Sequence, residues 1–290
     1  MGTTAVRQKA GGRYPDPMPK IKGENVVESR HFGVSMWYRE IGEGTADPLL
    51  LLHAFPLNGK MFEPQIEALS ADRRVILPDF PGFGRSPRTP AQPDVGYYAG
   101  CVRGLLDRLD IPRVVVGGVS MGGYVAFECV RSFPERISGL VLANTRPDPD
   151  SEEIRSARKE MALRVAKDGI GILPGLQMER LLSPHTREND GGLVEKVRAI
   201  ILENTPAGAV AALGAMRERP DSTATLGEIA VPTLVIGGED DSISSPKAMG
   251  EMAEKIPGSR HVTLPNVGHL SNLENPDGFN GAVRMLLGEM

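Results

Sequence analysis

The chain has 290 residues, 40% of them hydrophobic and 24% charged, with a formal net charge of -4. That balance fits one globular domain with room for an insertion, and its mild acidity argues against nucleic acid as a partner. No run of about 18 apolar residues occurs, which excludes a single-helix membrane span, and no signal peptide is visible at the N-terminus, so cytoplasmic residence is the expectation.

Residues 1–22 are rich in Gly, Pro and basic residues without periodicity and read as a disordered tail. A strand, a turn at His31-Phe-Gly33 and a second strand predict a hairpin over 25–39. Short continuous apolar runs follow at 49–52, 75–77, 114–116, 140–142, 234–236 and 261–264. Helix-period segments at 97–109, 121–133, 246–255 and 276–287 separate them. That alternation is the pattern of a mostly parallel sheet covered by helices on both faces, an α/β fold. Cys101 and Cys129 both fall in helical patterns and read as buried thiols, not as a disulfide or a metal site.

Between Arg146 and Arg219 the strand-like runs stop. Helical segments are predicted at 152–165, 176–182, 193–203 and 207–217, with breaks at Gly169, Pro174, Pro184, Gly191-Gly192 and Pro206. The expected division is a core of 23–145 and 220–290, carrying a helical lid at 146–219. That insertion contains no Phe, Tyr or Trp.

The chemistry centres on Gly118-Val-Ser-Met-Gly122, where a β-branched run gives way to an apolar-periodic helix. This places Ser120 on a sharp strand-to-helix turn, with glycines where strand and helix must pass closely. A serine hydroxyl needs a base to take its proton, and the base needs a third group to orient it. Among the five histidines, His269 lies late in the chain, after the last strand and before the last helix, at the sheet's carboxyl edge. His261 opens that strand at its far end, His31 and His185 read as solvated, and His53 is expected to shape the loop after the 49–52 strand. Glu239, Asp240 and Asp241, in the turn after 234–236, are all candidates for the orienting acid. The oxyanion requires backbone N–H donors. Met121, at the helix start, and Phe55, in His53-Ala-Phe-Pro56, are the expected ones.

Taken together these stretches resemble the α/β-hydrolase family, in its serine-nucleophile branch. His53-Ala-Phe-Pro56 is similar to that family's His-Gly-x-Pro oxyanion loop, with Ala54 where Gly is usual. Asp79-Phe-Pro-Gly-Phe-Gly-Arg-Ser86 resembles its Asp-x-x-Gly-x-Gly-x-Ser turn, 118–122 the nucleophile elbow, 238–241 the acid turn, and Gly268-His269 the base loop. The resemblance implies Asp241 as the acid and a structural role for Asp79. Within the family the chain looks like 3-oxoadipate enol-lactonases and similar carboxylesterases, through Leu140-Val-Leu-Ala-Asn-Thr145, residues 207–219 and 229–237, Ile256-Pro-Gly-Ser-Arg260 and His269-Leu-Ser-Asn-Leu-Glu274.

The expected activity is hydrolysis of small or aliphatic carboxylic esters, with no metal and no organic cofactor. Lactone hydrolysis, cofactor-free perhydrolysis and a ligand receptor with vestigial turnover are the alternatives. Dehalogenase and epoxide-hydrolase chemistry are disfavoured, because the elbow carries Ser120 instead of Asp, the sole Trp is Trp37 in the hairpin, and the lid has no tyrosine. The substrate pocket is expected between lid and core, lined by Met161, Leu176, Leu181 and Met216, with Arg146, Arg217 or Arg219 available to a substrate carboxylate. The partner is a small ester or lactone, without nucleic acid or membrane, and a homo-oligomer is compatible with the scaffold.

Overall fold

A computed structural model describes residues 24–29, 34–86 and 92–290. The tail expected at 1–22 and the turn at His31-Phe-Gly33 lie outside these residues. The described strands are β1 (Glu24–Ser29), β2 (Val34–Ile41), β3 (Leu49–Leu52), β4 (Val75–Pro78), β5 (Val114–Val119), β6 (Ile137–Ala143), β7 (Thr233–Gly238) and β8 (Arg260–Leu264). They form an eight-stranded sheet in the order β1-β2-β4-β3-β5-β6-β7-β8. β1 and β2 pair antiparallel, β2 lies antiparallel on β4, and the remaining neighbours are parallel.

The helices are α1 (Glu63–Leu69), α2 (Val95–Arg108), α3 (Met121–Ser132), α4 (Glu152–Asp168), α5 (Leu173–Leu181), α6 (Pro184–Asn189), α7 (Gly191–Leu202), α8 (Pro206–Arg217), α9 (Thr223–Leu226), α10 (Pro246–Glu254), α11 (Ser271–Glu274) and α12 (Pro276–Leu287). α2 packs on α3, and α1 packs on α12. The chain steps outward from β3 to β4, then crosses back over β3 to reach β5. With right-handed crossovers that reversal puts α1 and α2 on opposite faces of the sheet. It also opens a crevice between β3 and β5 at their carboxyl ends, where open α/β sheets hold their ligands. Ser120 and the 53–56 loop both leave the sheet there.

β3 to β7 are fully buried, as their unbroken apolar runs predict. β8 differs, since it is the sheet's last strand and four of its five residues face outward to some degree, leaving only Leu264 buried. Charged and polar side chains on such an edge keep it from pairing with another chain.

Between β6 and β7 the chain is helical; of its expected breaks Gly169 closes α4, and the others turn out to be helix beginnings. Pro174, Pro184 and Pro206 stand in the first turns of α5, α6 and α8, where a missing N–H costs nothing. Ser183 and Thr205 cap two of those helices, accepting N–H bonds from Thr186 and Gly208. α6 was hidden by reading Pro184 as a stop. Among the described residues no single helix is long and apolar enough to cross a membrane.

Candidate active site

Ser120 caps the N-terminus of α3 with φ 53° and ψ -111°. A non-glycine residue there stores about 1–3 kcal/mol of strain, which its neighbours must hold. The Ser120 N–H donates to the Ala143 carbonyl at 2.9 Å, and the Thr145 hydroxyl donates to the Ser120 carbonyl at 2.9 Å. A Cβ on Gly118 would stand 2.3 Å from the Gly122 carbonyl oxygen, and one on Gly122 2.1 Å from that of Leu52. Both positions therefore exclude any side chain, which is the physical content of the Gly-x-Ser-x-Gly spacing.

His269 Nε2 lies 2.7 Å from Ser120 Oγ. On the other side of the ring, Nδ1 lies 3.0 and 2.9 Å from the two Asp241 oxygens. These contacts suit a neutral ring that carries its proton on Nδ1 and accepts from the serine hydroxyl. All three side chains are buried. Asp241 also accepts the N–H groups of Ile243 (2.8 Å) and Ser244 (3.0 Å) and an amide proton of Asn144 (2.9 Å). Burial alone would raise the Asp241 pKa, but His269, Asn144 and the Ser244 N–H outweigh it and hold the carboxyl below its ordinary value. Glu239 and Asp240, the other two acids of that turn, are exposed.

Sequence reasoning missed two polar residues that hold this line in place. Asn144, in a left-handed conformation at φ 47° just after β6, donates to Asp241 and to the Gly268 carbonyl, while its own oxygen accepts from the Ser271 hydroxyl at 2.5 Å. It thus ties the acid turn to the base loop. Glu274 accepts N–H bonds from Gly268 (3.0 Å) and Leu270 (3.3 Å), on either side of His269, and bonds Ser183 N and the Thr186 hydroxyl of the helical segment. Both lie inside stretches singled out above, 140–145 and 269–274, but nothing local marks their partners.

On the opposite wall, Phe55 and Ser120 both line the crevice. Among the described residues neither the Phe55 N–H nor the Met121 N–H has a protein acceptor; for Met121 this follows from its place as the first residue of α3. Phe55 is carried on a loop pinned by His53, whose Nε2 accepts the Phe80 N–H at 2.9 Å and whose Nδ1 faces the Ala54 carbonyl at 3.1 Å. Full burial lowers the His53 pKa to about 4, so this ring is a neutral brace. Asp79 accepts N–H bonds from Gly59 (2.7 Å) and Arg85 (2.9 Å), and burial raises its pKa to about 6 despite those donors. It organises the turn at 79–86 and does not line the cavity beside Ser120.

That cavity has a volume of about 350 Å³. Met161, Leu181 and Met216 line it, as do Tyr124 and Ile243. Leu176, expected on the same wall, does not; Gln177 takes that place. α5 begins at Leu173, so Gln177 and Leu181, one turn apart, share the inward face, and Leu176 is rotated away. The aromatic surface comes from the core, through Phe55 and Tyr124, and not from the helical segment.

A serine on a strained elbow, a base in reach of it and a buried acid behind the base are the parts of nucleophilic acyl transfer. The chain matches the alpha/beta hydrolase fold family over residues 47–276, and it belongs to that family. It is similar to a thermophilic esterase from Thermogutta terrifontis, whose structure was solved with malate bound, with 38% identity and a TM-score of 0.87 over 92% of this chain and 98% of that one. The enol-lactonase from Burkholderia xenovorans LB400 superposes with a TM-score of 0.85 at 28% identity, covering 91% of this chain and all of the other (100%). In sequence, 3-oxoadipate enol-lactonase 2 of Acinetobacter baylyi is 28% identical over 255 residues, 88% of this chain and 93% of that protein.

Proposed function

We propose that this hydrolase cleaves small carboxylic esters through an acyl-enzyme on Ser120. The observation that carries the reading is the unbroken hydrogen-bonded line from Ser120 Oγ through His269 to Asp241. His269 Nε2 takes the hydroxyl proton as Ser120 Oγ attacks the ester carbonyl carbon. Asp241 stays ionised and stabilises the imidazolium. The N–H groups of Phe55 and Met121 hold the oxyanion. As the tetrahedral intermediate collapses, the alcohol oxygen leaves with the proton from His269. Water then attacks the acyl-enzyme, giving its proton to His269, and the carboxylic acid departs as Ser120 regains its own.

In this reading the helical segment 146–219 is a lid, and Met161, Leu181 and Met216 give the acyl or alcohol group an apolar wall. A volume of about 350 Å³ suits a small substrate. A lactone is a cyclic ester open to the same attack, and the relatives named as enol-lactonases favour that second reading.

The test compares wild type with Ser120→Ala on 4-nitrophenyl butyrate, on a simple lactone and on a carbamate. Wild type should turn over the ester or the lactone, and the variant should lose at least about three orders of magnitude in kcat with Tm unchanged. Turnover retained by Ser120→Ala overturns the nucleophile, and preference for the carbamate overturns the ester reading.

A further inference from the structure

The charged residues around the Ser120 cavity are not equally committed. Arg158 donates to the Asp150 carboxylate at 2.5 Å. Arg219, buried and stacked 4.2 Å over the Tyr124 ring, is taken up by Asp150 and by the carbonyls of Asp148 and Met216. Arg146 is different. It lines the cavity with Ser120 and His269, and its one ion pair among the described residues, from Nη2 to Asp148 at 2.5 Å, is with a carboxylate whose side chain is 49% exposed. Its Nε is buried without a partner, and among the described residues Nη1 has none either.

The root of Arg146 is fixed against the nucleophile. It follows Thr145, whose hydroxyl bonds the Ser120 carbonyl, and Asn144, which bonds Asp241. The backbone of Arg146 is thereby held close to Ser120, and its side chain lines the same cavity. Asp150, the buried acid nearby, is already matched by two arginines, and among the side chains lining the cavity Arg146, Arg158 and Arg180 outnumber Asp150 and Glu153, on a chain whose net charge is -4. Apolar walls keep the local dielectric low and lengthen the reach of that charge. A neutral substrate would desolvate Arg146 without pairing it, whereas a carboxylate would bond it in the fork geometry that guanidinium favours.

We propose that Arg146 is a specificity residue that receives a carboxylate, and that the substrates are esters or lactones bearing a free carboxylate away from the scissile bond. The proposal rests on the Ser120 hydrolase reading for its substrate class, but Arg146 can be tested without turnover. Two matched esters, mono-4-nitrophenyl adipate and 4-nitrophenyl hexanoate, differ in the terminal carboxylate. Wild type should favour the adipate ester by about tenfold or more in kcat/KM. Arg146→Gln should bring the ratio close to one, chiefly through KM, and Arg146→Lys should restore part of it. In the Ser120→Ala background, glutarate binding measured by calorimetry should weaken by about tenfold when Arg146→Gln is added. A ratio unchanged by Arg146→Gln, or glutarate bound equally or not at all by the two Ser120→Ala proteins, overturns the assignment of Arg146. Loss of glutarate binding in the double variant, with no ester hydrolysed by wild type, keeps Arg146 as an anion site and removes the ester reading instead.

Discussion

The two halves of the candidate site are built differently. At the carboxyl edge of the sheet, Ser120, Asn144, Asp241 and His269 are buried and bonded to backbone of neighbouring strands and loops. The helical segment over them is unevenly anchored. α8 buries seven of its twelve residues, whereas the seventeen residues of α4 include one buried side chain, Val165, and polar ties reach the same segment: Asp150 with Arg158 and Arg219, and Glu274 with Ser183 and Thr186. The backbone of His269 itself bonds the Leu181 carbonyl at the end of α5. On the proposed mechanism the sheet edge sets the geometry of proton transfer and the helical segment sets the shape and charge of the space above it, so the contrast teaches where reactivity and selectivity should separate.

Breaking the sheet-edge half should produce the largest effects. On the proposed mechanism Asp241→Asn should lower kcat by roughly three to four orders of magnitude, since the ring of His269 loses its orienting charge. Asp240→Asn, one residue away and exposed, should stay within about twofold; the opposite pattern in a kcat series would move the acid by one position. Next comes Asn144→Gly. Glycine keeps the positive φ and removes the side chain, so the fold survives while Asp241 and Gly268 lose a shared donor and Ser271 its acceptor. An expected fall of about tenfold or more in kcat, with a displaced pH profile and little change in KM, marks Asn144 as a positioning residue. A Tm drop with an unmoved pH profile would make it structural only.

The helical half should respond in stability and KM. Asp150→Asn strands the buried Arg219 guanidinium and should cost about 2–4 kcal/mol. Thermal unfolding should shift down by roughly 5 °C, with KM raised and kcat largely kept. Equal losses in kcat and KM would mean that the two halves are not separable.

The smallest effect concerns the loop beneath Phe55. His53 has a pKa of about 4 against an ordinary 6.5, so between those values the unfolded chain binds a proton that the fold refuses. Its contribution to stability is therefore full above pH 6.5 and is lost as pH falls toward 4. Asp79 has a pKa of about 6 against 3.8, so over much of the same interval the fold holds the extra proton and acid favours it. The two slopes oppose each other. His53→Gln keeps an acceptor for the Phe80 N–H and removes one slope. Relative to wild type, the variant should gain about 1.5 kcal/mol between about pH 6.5 and pH 5 in denaturant melts. Parallel pH profiles would show that His53 is not the buried neutral brace.

The sheet and the elbow were legible because each is written locally. The apolar runs of three or four residues at 49–52, 75–77, 114–116, 140–142 and 234–236 all lie in buried strands, and Gly118 and Gly122 mark the elbow by their lack of side chains. The acid was not legible from composition, because Glu239, Asp240 and Asp241 differ only in which one the turn after Gly238 buries. Asn144 and Glu274 were missed for another reason: the partners of Asn144, and those of Glu274 in the helical segment, lie 88 to 127 residues away, and an isolated polar residue does not announce a distant contact. Leu176 was misplaced because the pocket face of α5 depends on where the helix begins, and a shift of a residue or two in that start turns the face away.

The central claim is that Ser120 is the nucleophile. Its most direct test is mass spectrometry of the protein after reaction with an alkyl fluorophosphonate, in which serine oxygen displaces fluoride at phosphorus. One adduct on the peptide carrying Ser120 is expected, formed at a much lower rate in Asp241→Asn and absent in Ser120→Ala. An adduct on another residue, or an unlabelled Ser120 peptide from protein whose ester turnover has been abolished by the reagent, would contradict it.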